Sequence, residues 1–415
     1  MPLGPETPTL AMFEGPPFLD CWGCHTPNLG VLDISDHVVS RRCRTCGWSV
    51  RDALPAVRKA VVYLDQFAIS DIFKLRAGTL PTTANSYDFW CRVEPAIRRA
   101  YLLQQVVFPA SPIHFKETNV SADPQDLRVA HEMLSGGVQF RRLEEIELAQ
   151  IVPFAKAFLR HEPPPRLDLA PQDALTGSTD KWLPRLHLSV NSDYSMFAAS
   201  QRENRDQAAA ELVTLTEAWA AEKPTFQQVF KRELEAFGPA KLGSLIASLN
   251  RAARAQDVGD HREVFEASHT PAQTQFTQLA GLFRSLGVPE HQTYDLVAAY
   301  WGWAENQHLP FHRLSAYLFA ALARKFAAGQ RRPPSKGMLN DFEAISYFGP
   351  YVDAMLLDRE CAGLLREIPS DPGHLLRAKM FSLANGDDFI AYLNSLADQA
   401  PEDVRRHAEA LYRVS

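Results

Sequence analysis

Two short apolar runs, one near each end of the chain and each closed by an aspartate, do most to limit what this sequence can fold into. "KAVVYLD" covers residues 59–65 and "AMLLD" covers 354–358. An uninterrupted apolar run of this length, without alternation, is the pattern of a strand buried on both faces. Such strands belong to parallel sheets, which need a crossover between neighbours, and the crossover is usually a helix. Both runs meet that need, since "QFAISDIFKL" follows the first and "RECAGLLREI" the second, and both read as helix. The expected fold class is therefore α/β with a parallel sheet.

The intervening sequence sets the domain plan. "WCRVEPAIRRAYLLQQ" (90–105) is an amphipathic helix, and "VVFPAS" (106–111) is a second short strand. "SPIHFKETNV" then opens a helix, with Ser111 suited to the N-cap and Pro112 to the first helical position. From 151 to 308 the pattern changes. A Pro-rich loop (161–182) leads into "RENRDQAAAELVTLTEAWAAE", "TFQQVFKRELEAF", "KLGSLIASLNRAARAQ" and "YDLVAAYWGWAENQ", all with helical periodicity. The α/β pattern resumes after 309, with a helix at 341–348, a strand at 354–357, a strand near 378–383 and a last helix. The expected organisation is a small unit at 1–55, an α/β domain in two parts (56–150 and 309–415), and an all-helical insertion at 151–308.

Composition excludes some partners. The chain has 415 residues, 46 % of them apolar, with 43 basic and 49 acidic side chains and a net charge of −6. That balance argues against attachment to nucleic acid through bulk positive charge, but it leaves room for a local basic groove. No apolar stretch approaches the roughly 18 residues of a membrane span. "MPLGPETPTLAMFEGPPFLD" lacks the basic start and apolar core of a secretory signal. The expectation is a soluble, cytoplasmic protein whose first 20 residues are poorly ordered.

Four of the six cysteines are paired by spacing. Cys21 and Cys24, then Cys43 and Cys46, form two C-x2-C pairs separated by eighteen residues, the pattern of a four-thiolate zinc site. Four sulfur ligands leave no open position, so such an ion is structural. Gly47 suits the positive φ that a cysteine knuckle needs. The intervening "VLDISDHVVSRRC" reads as a hairpin, which makes the unit a zinc ribbon. Arg41, Arg42, Arg44 and Trp48 could touch nucleic acid or form a solvated face. Cys91 and Cys361 fit no pairing and read as core residues.

The carboxylates follow from the strands. Active sites in open parallel sheets form at the carboxyl ends of the strands, where helices begin. Asp65 and Asp358 directly follow their strands, Asp341 stands near the start of a helix, and Glu117 lies early in the helix after "VVFPAS". Four carboxylates on one edge repel, and a Mg²⁺ or Mn²⁺ ion resolves the conflict because hard cations take oxygen ligands. Each also has a plainer reading, as a helix cap or a solvated side chain. Asp353 lies across its strand from Asp358, roughly 16 Å away on extended geometry, and is a second choice. His114, one turn before Glu117, could orient a phosphate or water, or serve the core.

With these residues in hand, the arrangement resembles the PIN-domain nucleases. The match runs through the aspartate of "VVYLDQFAIS", the glutamate of "SPIHFKET", the aspartate opening "NDFEAIS" and the aspartate of "AMLLD". It covers about 58–150 and 330–395 and leaves the cysteine unit and the helical segment unexplained; the gap between Glu117 and Asp341 is far larger than in compact members. The resemblance implies metal-dependent hydrolysis of phosphodiester bonds, usually of RNA. Asp65, Glu117, Asp341 and Asp358 would then hold one or two Mg²⁺ or Mn²⁺ ions that activate water. It further implies a toxin, phage-defence or RNA-processing setting. Arg331, Arg332 and Lys336, just before Asp341, would hold the substrate backbone, unless they form only a solvated loop. The helical insertion would carry any self-association or regulatory partner. A haloacid-dehalogenase-type phosphatase is excluded, because it needs a second aspartate where this chain has Phe67. The competing class is a non-catalytic zinc-ribbon module, binding nucleic acid or protein, on a degenerate scaffold of the same kind.

Overall fold

The computed structural model describes residues 17–121, 124–184, 195–369 and 376–414. Most of the Pro- and Gly-rich N-terminus, residues 1–16, lies outside them. The first unit is an antiparallel sheet of β1 (Leu29–Ser35), β2 (Val38–Cys43) and β3 (Ser49–Ala53), in that order. The expected hairpin is β1–β2, turned at Asp36, which takes a φ of 51°. The strand β3 adds to it because Gly47, at φ +75°, reverses the chain after the second cysteine pair.

The sequence then runs through β4 (Ala60–Leu64), α1 (Gln66–Arg76), α2 (Tyr87–Leu102), β5 (Val106–Val107), α3 (Pro112–Asn119) and α4 (Pro124–Ser135). A two-stranded antiparallel ribbon follows, made by β6 (Gln139–Phe140) and β7 (Leu175–Thr176), with α5 (Leu143–Leu159) and α6 (Pro171–Ala174) between them. The helical bulk comprises α7 (Ser195–Glu222), α8 (Phe226–Asp257), α9 (His261–Ser268), α10 (Pro271–Ser285) and α11 (Glu290–Trp301). The chain closes with α12 (Pro310–Ala327), α13 (Met338–Phe348), β8 (Ala354–Leu356), α14 (Arg359–Leu365), β9 (Lys379–Phe381), α15 (Gly386–Asp398) and α16 (Glu402–Tyr412).

The two apolar runs that opened the sequence reading lie side by side. The larger sheet is parallel throughout, in the order β5-β4-β8-β9, with Val62 opposite Ala354, Tyr63 opposite Met355 and Leu64 opposite Leu356. Its pleat feeds two cores. Val61, Tyr63, Met355 and Leu357 pack with α12 and α13 residues such as Leu318 and Ile345. Val62, Leu64 and Leu356 pack with Trp90, Ile97 and Phe389. Burial on both faces explains why neither run alternates in sequence.

Several expectations shift at element boundaries. The strand expected at 106–111 pairs only over Val106–Val107. Pro109 has no N–H to donate, and Ser111 already caps α3 by accepting from the His114 N–H at 3.0 Å. The helix α5 runs through residue 150, where the sequence pattern suggested a division. The two helical segments read at 225–237 and 241–256 are one helix, α8, continuous through Gly238 and Pro239. Gly238 is required there, since a Cβ would lie 1.8 Å from the Trp301 carbonyl oxygen. Cys91 is exposed on α2 and not a core residue, a correction to the sequence reading. Among the described residues no helix is long and apolar enough to cross a membrane.

Candidate metal centres

The four N-terminal cysteines converge. Cys21 Sγ is 3.6 Å from Cys46 Sγ, Cys24 Sγ is 3.6 Å from Cys43 Sγ, and all four sulfurs lie within 4.8 Å of one another. They can hold one metal ion. Four tetrahedral sulfurs at about 2.3 Å from an ion stand roughly 3.8 Å apart, close to what is seen. Backbone N–H groups point at the sulfurs, from Gly23 to Cys21 (3.3 Å) and from Thr45 to Cys43 (3.4 Å). These donors stabilise thiolate. The N–H of Cys46, followed by that of Thr45, draws the Cys43 thiol down to about 6 against burial. Cys46 goes the other way, to about 12: the Trp48 N–H favours its thiolate, but burial and the neighbouring sulfurs outweigh it. Without a cation the four sulfurs cannot all ionise together.

The second cluster sits at the carboxyl edge of the parallel sheet. From β4 the chain crosses to β5 on one side, while from β8 it crosses to β9 on the other, so the order reverses between β4 and β8. Open α/β sheets bind ligands in the crevice outside such a reversal. Asp65 and Asp358 leave the sheet there, on adjacent strands; the Asp65 N–H donates to the Leu356 carbonyl at 3.0 Å. Asp358 caps α14, its Oδ1 accepting from the Cys361 N–H at 2.6 Å. Asp341 lies in the first turn of α13, which begins at Met338, three residues earlier than the sequence suggested. Asp341, Asp358 and Cys361 place ligand atoms within 4.8 Å of one another. Glu117 projects from α3 and accepts a hydrogen bond from Asn340 Nδ2 at 2.9 Å, beside Asp341.

The electrostatics of this edge are those of crowded acids. Asp65 is 7 % exposed. Burial, followed by the charges of Glu117 and Asp358, raises its carboxyl from 3.8 to about 8, although the Gln66 and Asp358 N–H groups donate to it. Asp341 is held well above the ordinary range by burial and then by Asp65, Asp358 and Glu117. Glu117 is raised by burial, and Asn340, Arg205 and Lys116 offset only part of that. The same acids, after burial, push Tyr63 and Cys361 up. The negative charges of Glu117, Asp341 and Asp358 thus bear on one buried edge with Asp65, and their repulsion is the property that a hard divalent cation relieves.

Other expected site residues fall elsewhere. Asp353 sits at the amino edge of β8, as its position across the strand required. Its Oδ2 accepts from the Val61 N–H and its Oδ1 from Arg377, both at 2.8 Å, so it staples β4 to β8 at the edge opposite Asp65 and Asp358. His114 is 1 % exposed, hydrogen-bonded through Nε2 to the Leu64 carbonyl at 2.8 Å and stacked on Tyr63. Burial lowers it to about 4, which makes it a neutral brace behind Asp65 and leaves it no surface for substrate. Arg331, Arg332 and Lys336 are exposed, with Lys336 paired to Asp206 of α7 at 2.9 Å.

Two participants were missed in the sequence. Cys361 was read as core; it is buried, and its Sγ lies 3.6 Å from Asp341 Oδ2. Its place three residues after Asp358, on the same helix face, was the available signal. Asn340 orients Glu117, and its adjacency to Asp341 was visible, but the partner 223 residues away was not. Compared with known protein families, curated proteins and solved structures, the chain matches none of them.

Proposed function

We propose that this chain is a metal-dependent endonuclease that hydrolyses phosphodiester bonds, with RNA as its substrate ahead of DNA. The observation that carries the reading is the convergence of Asp65, Glu117, Asp341 and Asp358 on the sheet's switch point, where burial and then the neighbouring acids raise Asp65 and Asp341 and burial raises Glu117. Mg²⁺ or Mn²⁺ bound there would supply an activated water and stabilise the leaving oxygen. The protein's own part is to hold the oxygen ligands. The strand ends fix Asp65 and Asp358, α13 brings Asp341, and Asn340 orients Glu117. The arrangement fits a PIN-like domain interrupted by a helical insertion, as the sequence resemblance implies. Arg331 and Arg332, exposed in the loop before α13, would meet substrate phosphates.

The cysteine cluster fits structural Zn²⁺ in a ribbon, because the donor set is all sulfur and has no open position. A reducing, cytoplasmic setting keeps those thiols available. A second copy or a regulatory protein would dock on the helical segment, where Ile246, Leu249, Val258 and Phe265 are exposed.

The test is hydrolysis of labelled single- and double-stranded RNA and DNA with Mg²⁺ or Mn²⁺. Wild-type protein cleaves, and Asp358→Asn loses about a hundredfold or more of the rate, as expected when a ligand of the metal that stabilises developing charge is removed. Absence of cleavage on every substrate would contradict the reading and leave a non-catalytic binding module.

A further inference from the structure

A cleft of about 370 Å³ opens beside Glu117, and one of its walls belongs to the helical segment. Gln201, Asn204, Arg205 and Ala208 of α7 line it, at the i, i+3, i+4, i+7 spacing of a single helix face. Glu117, Val120, Leu339 and Asn340 form the wall opposite. The helix α7 therefore lies beside Glu117, one of the sheet-edge acids, and beside Asn340, the neighbour of Asp341.

The charges around the cleft are unequally satisfied. Lys116 faces Glu343 at 3.6 Å and Lys336 faces Asp206 at 2.9 Å. Arg205 has its Nε 3.8 Å from Asp206. That Nε and the Gln201 Oε1 are buried, yet neither makes a hydrogen bond among the described residues. Buried donors and acceptors ordinarily find partners, so two unpaired ones on side chains that line a cleft point to a ligand that draws those side chains into contact. The lining mixes the Arg205 guanidinium, three amides and two lysines with Glu117, Glu343 and the apolar Val120, Ala208 and Leu339. A sugar-phosphate unit presents the same mixture. The volume is at the lower end of the roughly 300–1,000 Å³ of small-ligand pockets, right for one nucleotide and too small for a duplex.

We propose that this cleft seats the nucleotide next to the scissile phosphate, with Arg205 holding its phosphate and Gln201 its sugar or base. The inference rests on the nuclease reading for the word scissile; the binding itself does not. The insertion is then part of the active site, and α7 chooses where along a strand the metal cluster acts. Arg205 is suited to the task because its planar fork can bond two phosphate oxygens at once.

The experiment measures binding and cleavage of a fluorescein-labelled single-stranded RNA about eight nucleotides long by the full chain, with Ca²⁺ for binding and Mn²⁺ for cleavage. Arg205→Ala should weaken binding about tenfold and lower the slope of log K against log salt by about 0.7, one phosphate contact on a single strand. Ala208→Trp, which fills the cleft from the helix surface, should weaken binding at least as much while circular dichroism stays unchanged. Lys231→Ala, the same charge change on exposed α8, should match wild type. If Arg205→Ala and Ala208→Trp bind RNA like wild type, the cleft is not the nucleotide seat, even when cleavage is robust. If both lose binding while no protein cleaves anything, the seat stands and the nuclease reading falls.

Discussion

Replacing Asp65 by asparagine should make the metal-free protein more stable while removing its response to metal. A folded carboxyl at about 8 keeps a proton that the unfolded chain, titrating near 3.8, has already released. Between those values each pH unit costs the fold ~1.4 kcal/mol, so stability falls as pH rises from about 4 to about 8 and levels off above that. The full penalty approaches ~6 kcal/mol as an upper bound, most of it from burial and the rest from the charges of Glu117 and Asp358 beside Asp65. An amide of the same shape removes the charge but keeps some of the cost of burying a polar group. A net gain of about 2 kcal/mol is expected at pH 8, or a rise in Tm of roughly 2 °C. The assay is thermal unfolding by calorimetry at pH 6 and pH 8, after dialysis free of Mg²⁺ and Mn²⁺. Wild type should gain about 2.7 kcal/mol from Mn²⁺ at a hundred times its Kd, and Asp65→Asn almost none. A lower Tm for Asp65→Asn at pH 8, together with a wild type indifferent to Mn²⁺, would refute the reasoning and make Asp65 a structural hydrogen-bonding group.

Three other perturbations separate the parts of the account. Asp353→Ala should cost about 2–3 kcal/mol in urea unfolding, because it strands the Val61 N–H and Arg377, yet leave Mn²⁺ affinity measured by calorimetric titration unchanged. Gly238→Ala should destabilise by more than about 2 kcal/mol, since its methyl meets the Trp301 carbonyl at 1.8 Å; a wild-type Tm would show that α8 and α11 are not packed as described. Cys43→Ser should reduce bound zinc, measured by elemental analysis, from one ion per chain to none or a weakly held fraction, and broaden the amide signals of the β1–β3 sheet; full zinc retention would remove Cys43 from the ligand set.

How much of this was legible in the sequence depends on distance along the chain. Asp65 and Asp358 were readable because a buried parallel strand announces itself as an apolar run, and the residue after it lies at the edge where ligands bind. The cysteine cluster was readable for a similar reason, since each pair is a local turn. Asp353 was assigned to the opposite edge by strand geometry alone. What failed was tertiary. Arg205 and Gln201 belong to a helix whose sequence says only that it is helical, and their meaning comes from α7 crossing α3 and α13. His114 sat one turn from Glu117 in sequence, which suggested substrate; the structure turns it into the core against Tyr63. The β6–β7 ribbon pairs two-residue strands, too short for any periodicity to reveal.

The most direct test of the central claim is anomalous scattering from crystals soaked in Mn²⁺. The account predicts a manganese peak within about 2.5 Å of carboxylate oxygens from Asp65 and Asp358, with Asp341 or Glu117 completing the shell. Peaks confined to other surfaces, with the four carboxylates left unligated at saturating Mn²⁺, would contradict it.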